Sequence, residues 1–213
     1  MVLLLPVPAY GQHPAQLLPT LQTDKGAIKP GTWVQYTIYQ RATREVNAVR
    51  IAALERVSGK GQWFEIAITD QGKRTLVLKT LIAGTLSAPK GMLKTIVQPP
   101  GHQPVELPPG KQGAVKLPRM ATGPDPRARL VGTGKVKVAG GTFVASRYRT
   151  VDKKGRVSQV WSSKDVPGWP MVKAESPDAL IELSGFGKGA TSQIRGKPGK
   201  LDPKLLEKIG LPR

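Results

Sequence analysis

Thr32-Trp-Val-Gln-Tyr-Thr-Ile-Tyr-Gln40, opened by Gly31, decides the fold class. Val34, Tyr36 and Ile38 fall on one side of an extended chain, with Gln35 and Thr37 on the other. That period of two is what a half-buried strand requires. Three further segments repeat it. In Val46–Val57, Val49, Ile51 and Ala53 share a side and Arg50 lies opposite. Trp63–Asp70 sets Phe64, Ile66 and Ile68 against Glu65 and Thr69, and in Arg74–Ala83 Leu76, Leu78 and Ile82 alternate with Val77 and Lys79. Ser58-Gly-Lys-Gly61 and Asp70-Gln-Gly-Lys73 are turns, so these strands read as an antiparallel meander.

The middle of the chain reads differently. Between Gly84 and Thr133 only Leu93–Gln98 has strand character. Pro99-Pro100-Gly101, Pro104, Pro108-Pro109-Gly110, Pro118, Pro124 and Pro126 interrupt the rest. Proline has no backbone donor for a ladder, which makes 84–133 a long Pro-rich crossing segment between two sheet halves. Strand patterns return at Gly134–Val138, Thr142–Thr150 and Arg156–Ser162, the last two joined by the turn Val151–Gly155. Lys164-Asp-Val-Pro-Gly-Trp-Pro170 reads as a rigid connector, and Met171–Ser176 with Leu180–Gly185 as a last hairpin. The expectation is a mainly β fold: a curved antiparallel sheet or unclosed half-barrel of about eight to nine strands with few short helices. One β domain spans 31–187, preceded by a lead-in over 12–30. The remaining 188–213 form a basic tail, flexible by its Gly, Lys and Pro content. A short helix closes it, with Asp202 as cap, Pro203 at the first position, Leu205, Leu206 and Ile209 apolar, and Gly210 as the stop.

Three pieces of the second half, Ala139-Gly-Gly-Thr-Phe-Val-Ala-Ser-Arg-Tyr-Arg149, Gln159-Val-Trp-Ser-Ser163 and Asp165-Val-Pro-Gly-Trp-Pro-Met-Val-Lys173, resemble bacterial periplasmic proteins of the outer-membrane lipoprotein-carrier type. The resemblance covers residues 134–187. It implies an unclosed β-barrel, a helical lid and an apolar cavity for acyl chains. No lid helix stands out in this sequence.

Composition narrows the function. The 213 residues are 39% hydrophobic and 22% charged, which supports a packed core, while 24 Gly and 20 Pro make the chain rich in turns. No stretch approaches the roughly 18 apolar residues of a membrane span. Thirty-three Lys and Arg against 14 Asp and Glu give a net charge of +19, a surface that draws polyanions, anionic lipid or acidic protein. The candidate anion-binding surface is Lys111, Lys116, Arg119, Arg127, Arg129, Lys135 and Lys137, with Asp125 the one acid among them. No aromatic interleaves these cations, which disfavours nucleic acid as a partner.

Enzyme chemistry finds little to work with. There is no Cys, hence no disulfide and no thiol nucleophile. His13 and His102 sit apart in Pro-rich segments, and no metal cluster, triad or phosphate loop forms around them. The reading is therefore non-catalytic and without a cofactor. Met1–Gln12 looks like the latter half of a secretory signal peptide, residues 1–11, with Ala9 and Gly11 placing small residues at −3 and −1 of a cleavage site. That makes the protein periplasmic or secreted; a monomer is expected.

One feature points to a ligand. Trp33, Tyr39, Trp63 and Val77 fall opposite the Val34 and Phe64 face, so the sheet carries apolar residues on both sides. The second side is either a candidate apolar ligand face or is covered by loops or the terminal helix. The leading function is binding or carrying an apolar or amphipathic ligand such as a lipid or lipoprotein acyl chain. The alternative is an interaction module whose basic surface binds an acidic partner in an envelope complex.

Overall fold

In the computed structural model the described residues are 21–23, 28–70, 74–85, 89–108, 120–122 and 127–199. They form β1 (Leu21–Thr23), β2 (Trp33–Gln40), β3 (Val46–Val57), β4 (Gly61–Asp70), β5 (Arg74–Gly84), β6 (Pro89–Gln98), β7 (Val105–Leu107), β8 (Met120–Thr122), β9 (Arg129–Val138), β10 (Gly141–Val151), β11 (Val157–Ser162), β12 (Met171–Glu175) and β13 (Ala179–Gly187). β1 and β8 pair in parallel as a separate ribbon. The rest form one eleven-stranded antiparallel sheet in the order β7-β6-β5-β4-β3-β2-β13-β12-β11-β10-β9. Two meanders thus join where β2 zips to β13, with Ile38 opposite Ile181 and Tyr36 opposite Leu183. β7 and β9 are the two edges, and the sheet is not closed.

The β9 end curls. The Gly140 amide, in the β9–β10 turn, donates to the Leu183 carbonyl of β13 at 2.9 Å, although four ladder steps separate β9 from β13. Phe143 of β10 meets Phe186 of β13 with ring centroids 5.8 Å apart. The curl encloses a core in which Val34, Tyr36, Ile38, Val49, Ile51 and Phe64 meet Phe143, Ile181 and Leu183. Two pieces outside the strands complete it: Ile28, and the connector ahead of β12, which inserts Val166 and a fully buried Trp169.

Several expectations need correction. The main sheet has eleven strands, and no helix occurs among the described residues. Within 84–133 the described residues include strands besides Leu93–Gln98. β6 starts at Pro89, where a strand tolerates proline as its first residue, and Pro104 and Pro108 leave room for the three residues of β7 between them. β9 begins at Arg129, well before Gly134, because Gly132 and Gly134 pair with β10 despite their poor strand propensity. The signal segment 1–11, most of the lead-in, and the terminal helix at 202–210 lie outside the described residues.

Candidate functional site

The face opposite the core is built from neighbouring registers of β2 to β6. Trp33, Ala52, Glu65, Lys79 and Ile96 make one cross-strand row, and Gln35, Arg50, Ala67, Val77 and Gln98 the next. Of the candidate ligand residues, Trp33, Trp63 and Val77 fall on this patch. Tyr39 shares the face but stands at the far end of β2, about 20 Å along the strand from Trp33 at ~3.3 Å per residue. Trp33 and Trp63 are half-buried, and each has a cation over its ring: the Arg50 guanidinium at 5.3 Å and the Lys79 ammonium at 5.0 Å. Trp161 repeats the arrangement with Lys173 at 5.5 Å. Gly185 and Gly187 lie under the Trp33 ring, where a Cβ on Gly187 would come within 3.1 Å of the indole nitrogen.

Residues 188–199, read from the sequence as a flexible tail, run across this face as a strap. The Trp33 indole N–H donates to the Lys188 carbonyl at 3.3 Å, and the Ala190 amide donates to the Gly31 carbonyl at 2.8 Å. At β4 the Glu65 carboxylate accepts from the Ser192 hydroxyl and the Gln193 amide. At β6 the Gln98 side chain accepts from the Arg195 amide and donates to the Arg195 carbonyl. At β7 Gly199 exchanges backbone bonds with Pro104 and Glu106. On this face Ala52, Ala67 and Val77 are buried, as is Glu65, at 1% exposure. A carboxylate so placed needs donors, and the strap provides two. Arg50 stands 4.0 Å from Glu65. Burial lowers the Arg50 pKa, and the Glu65 charge works against that shift.

Beside the strap a cavity of about 800 Å³ is lined by Thr75, Val77, Gln98, Pro99, Pro100, Gly101, Ser192, Gln193 and Arg195. Val77 is the member of the candidate ligand face that reaches it. Glu65, Gln98 and the strap were not singled out by sequence reasoning. Glu65 did carry a signal: a carboxylate at the centre of Phe64–Ala67, where its neighbours are apolar.

The candidate anion surface is divided. Lys111, Lys116 and Arg119 lie outside the described residues. Arg127 is exposed, and Arg129, Lys135 and Lys137 are exposed on β9. The structure adds Arg147 and Arg149 of β10, with Arg149 directly opposite Arg129. The sequence signal was available, because no Asp or Glu occurs from Arg127 to Val151.

No family model matches this chain, and no curated relative does. Distant likenesses to solved structures include the following. A proposed exported protein with a YmcC-like fold from Bacteroides fragilis aligns at 12% identity and TM-score 0.39, over 79% of this chain and 100% of its own. A conserved, uncharacterised protein from Thermus thermophilus aligns at 16% identity and TM-score 0.42, over 79% and 86%. A proposed lipoprotein from Parabacteroides distasonis aligns at 11% identity and TM-score 0.35, over 78% and 99%. At this level of likeness none of them transfers a role to this chain.

Proposed function

We propose that this chain is an exported, non-catalytic envelope protein that binds an apolar or amphipathic ligand, the acyl chain of a lipid or lipoprotein being the class. The cavity beside the strap carries the reading. Val77, Pro99 and Pro100 give it an apolar wall, and Gln98, Gln193 and Arg195 give it a polar rim with one guanidinium. Apolar surface so buried stabilises a ligand by about 25 cal/mol per Å², while a few polar groups orient its head. Export draws on the apolar run ending in Ala9-Tyr10-Gly11. The +19 charge would hold a monomer near anionic headgroups, at about 1 kcal/mol per Lys or Arg at the surface.

Displacement of a fluorescent fatty acid from purified protein tests the reading. Gln193→Trp, which fills the mouth from an exposed strap position, is expected to weaken binding about tenfold or more, or ~1.4 kcal/mol. Arg195→Glu, which reverses the rim charge, should do the same. Melting temperatures should stay within a few degrees of wild type. Wild-type protein that takes up neither fatty-acid nor phospholipid probes ends this reading. A second reading, an interaction module for an acidic partner in an envelope complex, is favoured by the uncompensated cations of β9 and β10.

A further inference from the structure

We propose that the free edge of β9 is a docking strand, which takes an extended acidic segment of a partner protein as an added strand of the sheet. The inference rests on the second reading above and names its mode.

The two edges of the sheet are unequal. β7 is three residues long, and Gly199 of the strap already bridges it at Val105. β9 is ten residues long and pairs, among the described residues, with β10 alone. Counting back from the two-residue turn Ala139–Gly140, the alternation of an antiparallel ladder turns the backbone N–H and C=O of Thr133, Lys135 and Lys137 outward. An edge of this length with no proline is a template for another strand. Gly132 and Gly134 leave open space above the backbone, and Leu130, Val131 and Val144 are 60%, 47% and 58% exposed. Those side chains offer an incoming strand apolar contact.

Charge selects the occupant. Arg129, Lys135, Lys137, Arg147 and Arg149 have no acidic partner among the described residues. Like charges directly opposite on neighbouring strands destabilise the pair, and Arg129 faces Arg149 in that way. A carboxylate on the added strand, beside Arg129, offsets that repulsion. A second copy of this chain fits poorly, since β9 against β9 would bring two sets of the same cations together. A membrane surface would use the charge and leave the edge unused.

The test uses the full chain and a labelled synthetic peptide alternating Glu with Val, read by fluorescence anisotropy. Thr133→Pro removes an outward donor without changing charge, and the double variant Lys135→Glu, Lys137→Glu reverses the charge. Both are checked for native far-ultraviolet circular dichroism. Each is expected to weaken binding about tenfold or more, and hydrogen exchange at the Lys135 and Lys137 amides of wild type should slow when the peptide binds. If the charge variant loses binding while Thr133→Pro binds like wild type and the two amides stay unprotected, strand addition is overturned and the acidic-partner reading survives. If wild type ignores the peptide, both fall. Binding to phosphatidylglycerol vesicles without binding to the peptide assigns the surface to membrane and overturns the proposal. Should Thr133→Pro misfold, the exchange measurement on wild type decides alone.

Discussion

Glu65 and Ser192, 127 residues apart in the chain, meet in a 2.6 Å hydrogen bond between a buried carboxylate and a hydroxyl. The other carboxylate oxygen accepts from the Gln193 amide at 2.8 Å. Glu65 therefore fastens the strap to the middle of the sheet, and bonds of this kind contribute about 1.5–3 kcal/mol each when the acceptor is charged. Glu65→Ala is expected to cost about 3 kcal/mol or more in urea unfolding and to speed amide exchange at Gln193 and Arg195. Glu65→Gln keeps an acceptor for Gln193 and a donor for Ser192, and should cost about 1 kcal/mol. Unchanged exchange in Glu65→Ala would show that the strap does not depend on this carboxylate.

The alternation of Val34, Tyr36 and Ile38 with polar neighbours was enough to assign the core face and the first meander, because strand register converts sequence parity directly into sidedness. The strap left no such pattern. It is held through its own backbone N–H and C=O groups and one hydroxyl, so its side chains need no periodicity, and its Gly, Lys and Pro content reads as loop. The trace lay in one acceptor, Glu65, a buried carboxylate with apolar neighbours that requires donors. Trp169 was legible as part of a rigid turn, but local sequence does not fix which face of a sheet a connector enters. Arg147 and Arg149 lay in the acid-free run from Arg127 to Val151, but their place against β9 follows from the register, which sets Arg149 opposite Arg129 and Arg147 opposite Gly132.

Tyr36 is fully buried, and its hydroxyl donates to the Met171 carbonyl of β12 at 3.1 Å. Tyr36→Phe leaves that buried carbonyl short of a partner and is expected to cost about 1–3 kcal/mol. Burial also pushes the Tyr36 pKa well above its ordinary value. The folded state thus favours the neutral phenol. Its contribution is complete below the unfolded pKa of about 10 and declines as pH rises past that point. Alkaline unfolding of wild type should be steeper than that of Tyr36→Phe, and equal slopes would count against this assignment.

Asp152 organises the β10–β11 turn. Its carboxylate accepts from the Arg156 side chain at 2.7 Å and from the Lys154 and Arg156 amides at 2.8 and 2.9 Å. The Arg156 side-chain bond, chiefly, and then the backbone bonds hold the Asp152 pKa below its ordinary value. A lowered carboxylate pKa stabilises the turn above the unfolded pKa of about 3.9, and the effect is lost as pH falls through the lower folded value. The Lys154 and Arg156 amides should therefore shift together in nuclear magnetic resonance spectra on acidification below about pH 4. Asp152→Asn should remove that shift while leaving the melting temperature within a few degrees.

Trp169 tests whether the connector is part of the core or lies on it. The ring is fully buried, and its indole N–H has no hydrogen-bond partner among the described residues. Trp169→Ala is expected to cost about 3–5 kcal/mol, as truncation of a buried aromatic does. Trp169→Phe loses ring volume, yet it also removes a buried donor whose lack of a partner carries a penalty of about 1–3 kcal/mol. The effects oppose one another, and the Phe variant should cost under about 2 kcal/mol. Gly168 provides an independent check on the seating. It holds φ +78°, and a Cβ there would come within 2.9 Å of the Ile28 side chain. Gly168→Ala should destabilise through both the backbone conformation and the clash, and Ile28→Ala introduced alongside should recover part of the loss. If Trp169→Phe is as costly as Trp169→Ala in urea unfolding, the indole N–H is paired in solution. If Ile28→Ala gives no recovery, the connector does not rest on Ile28.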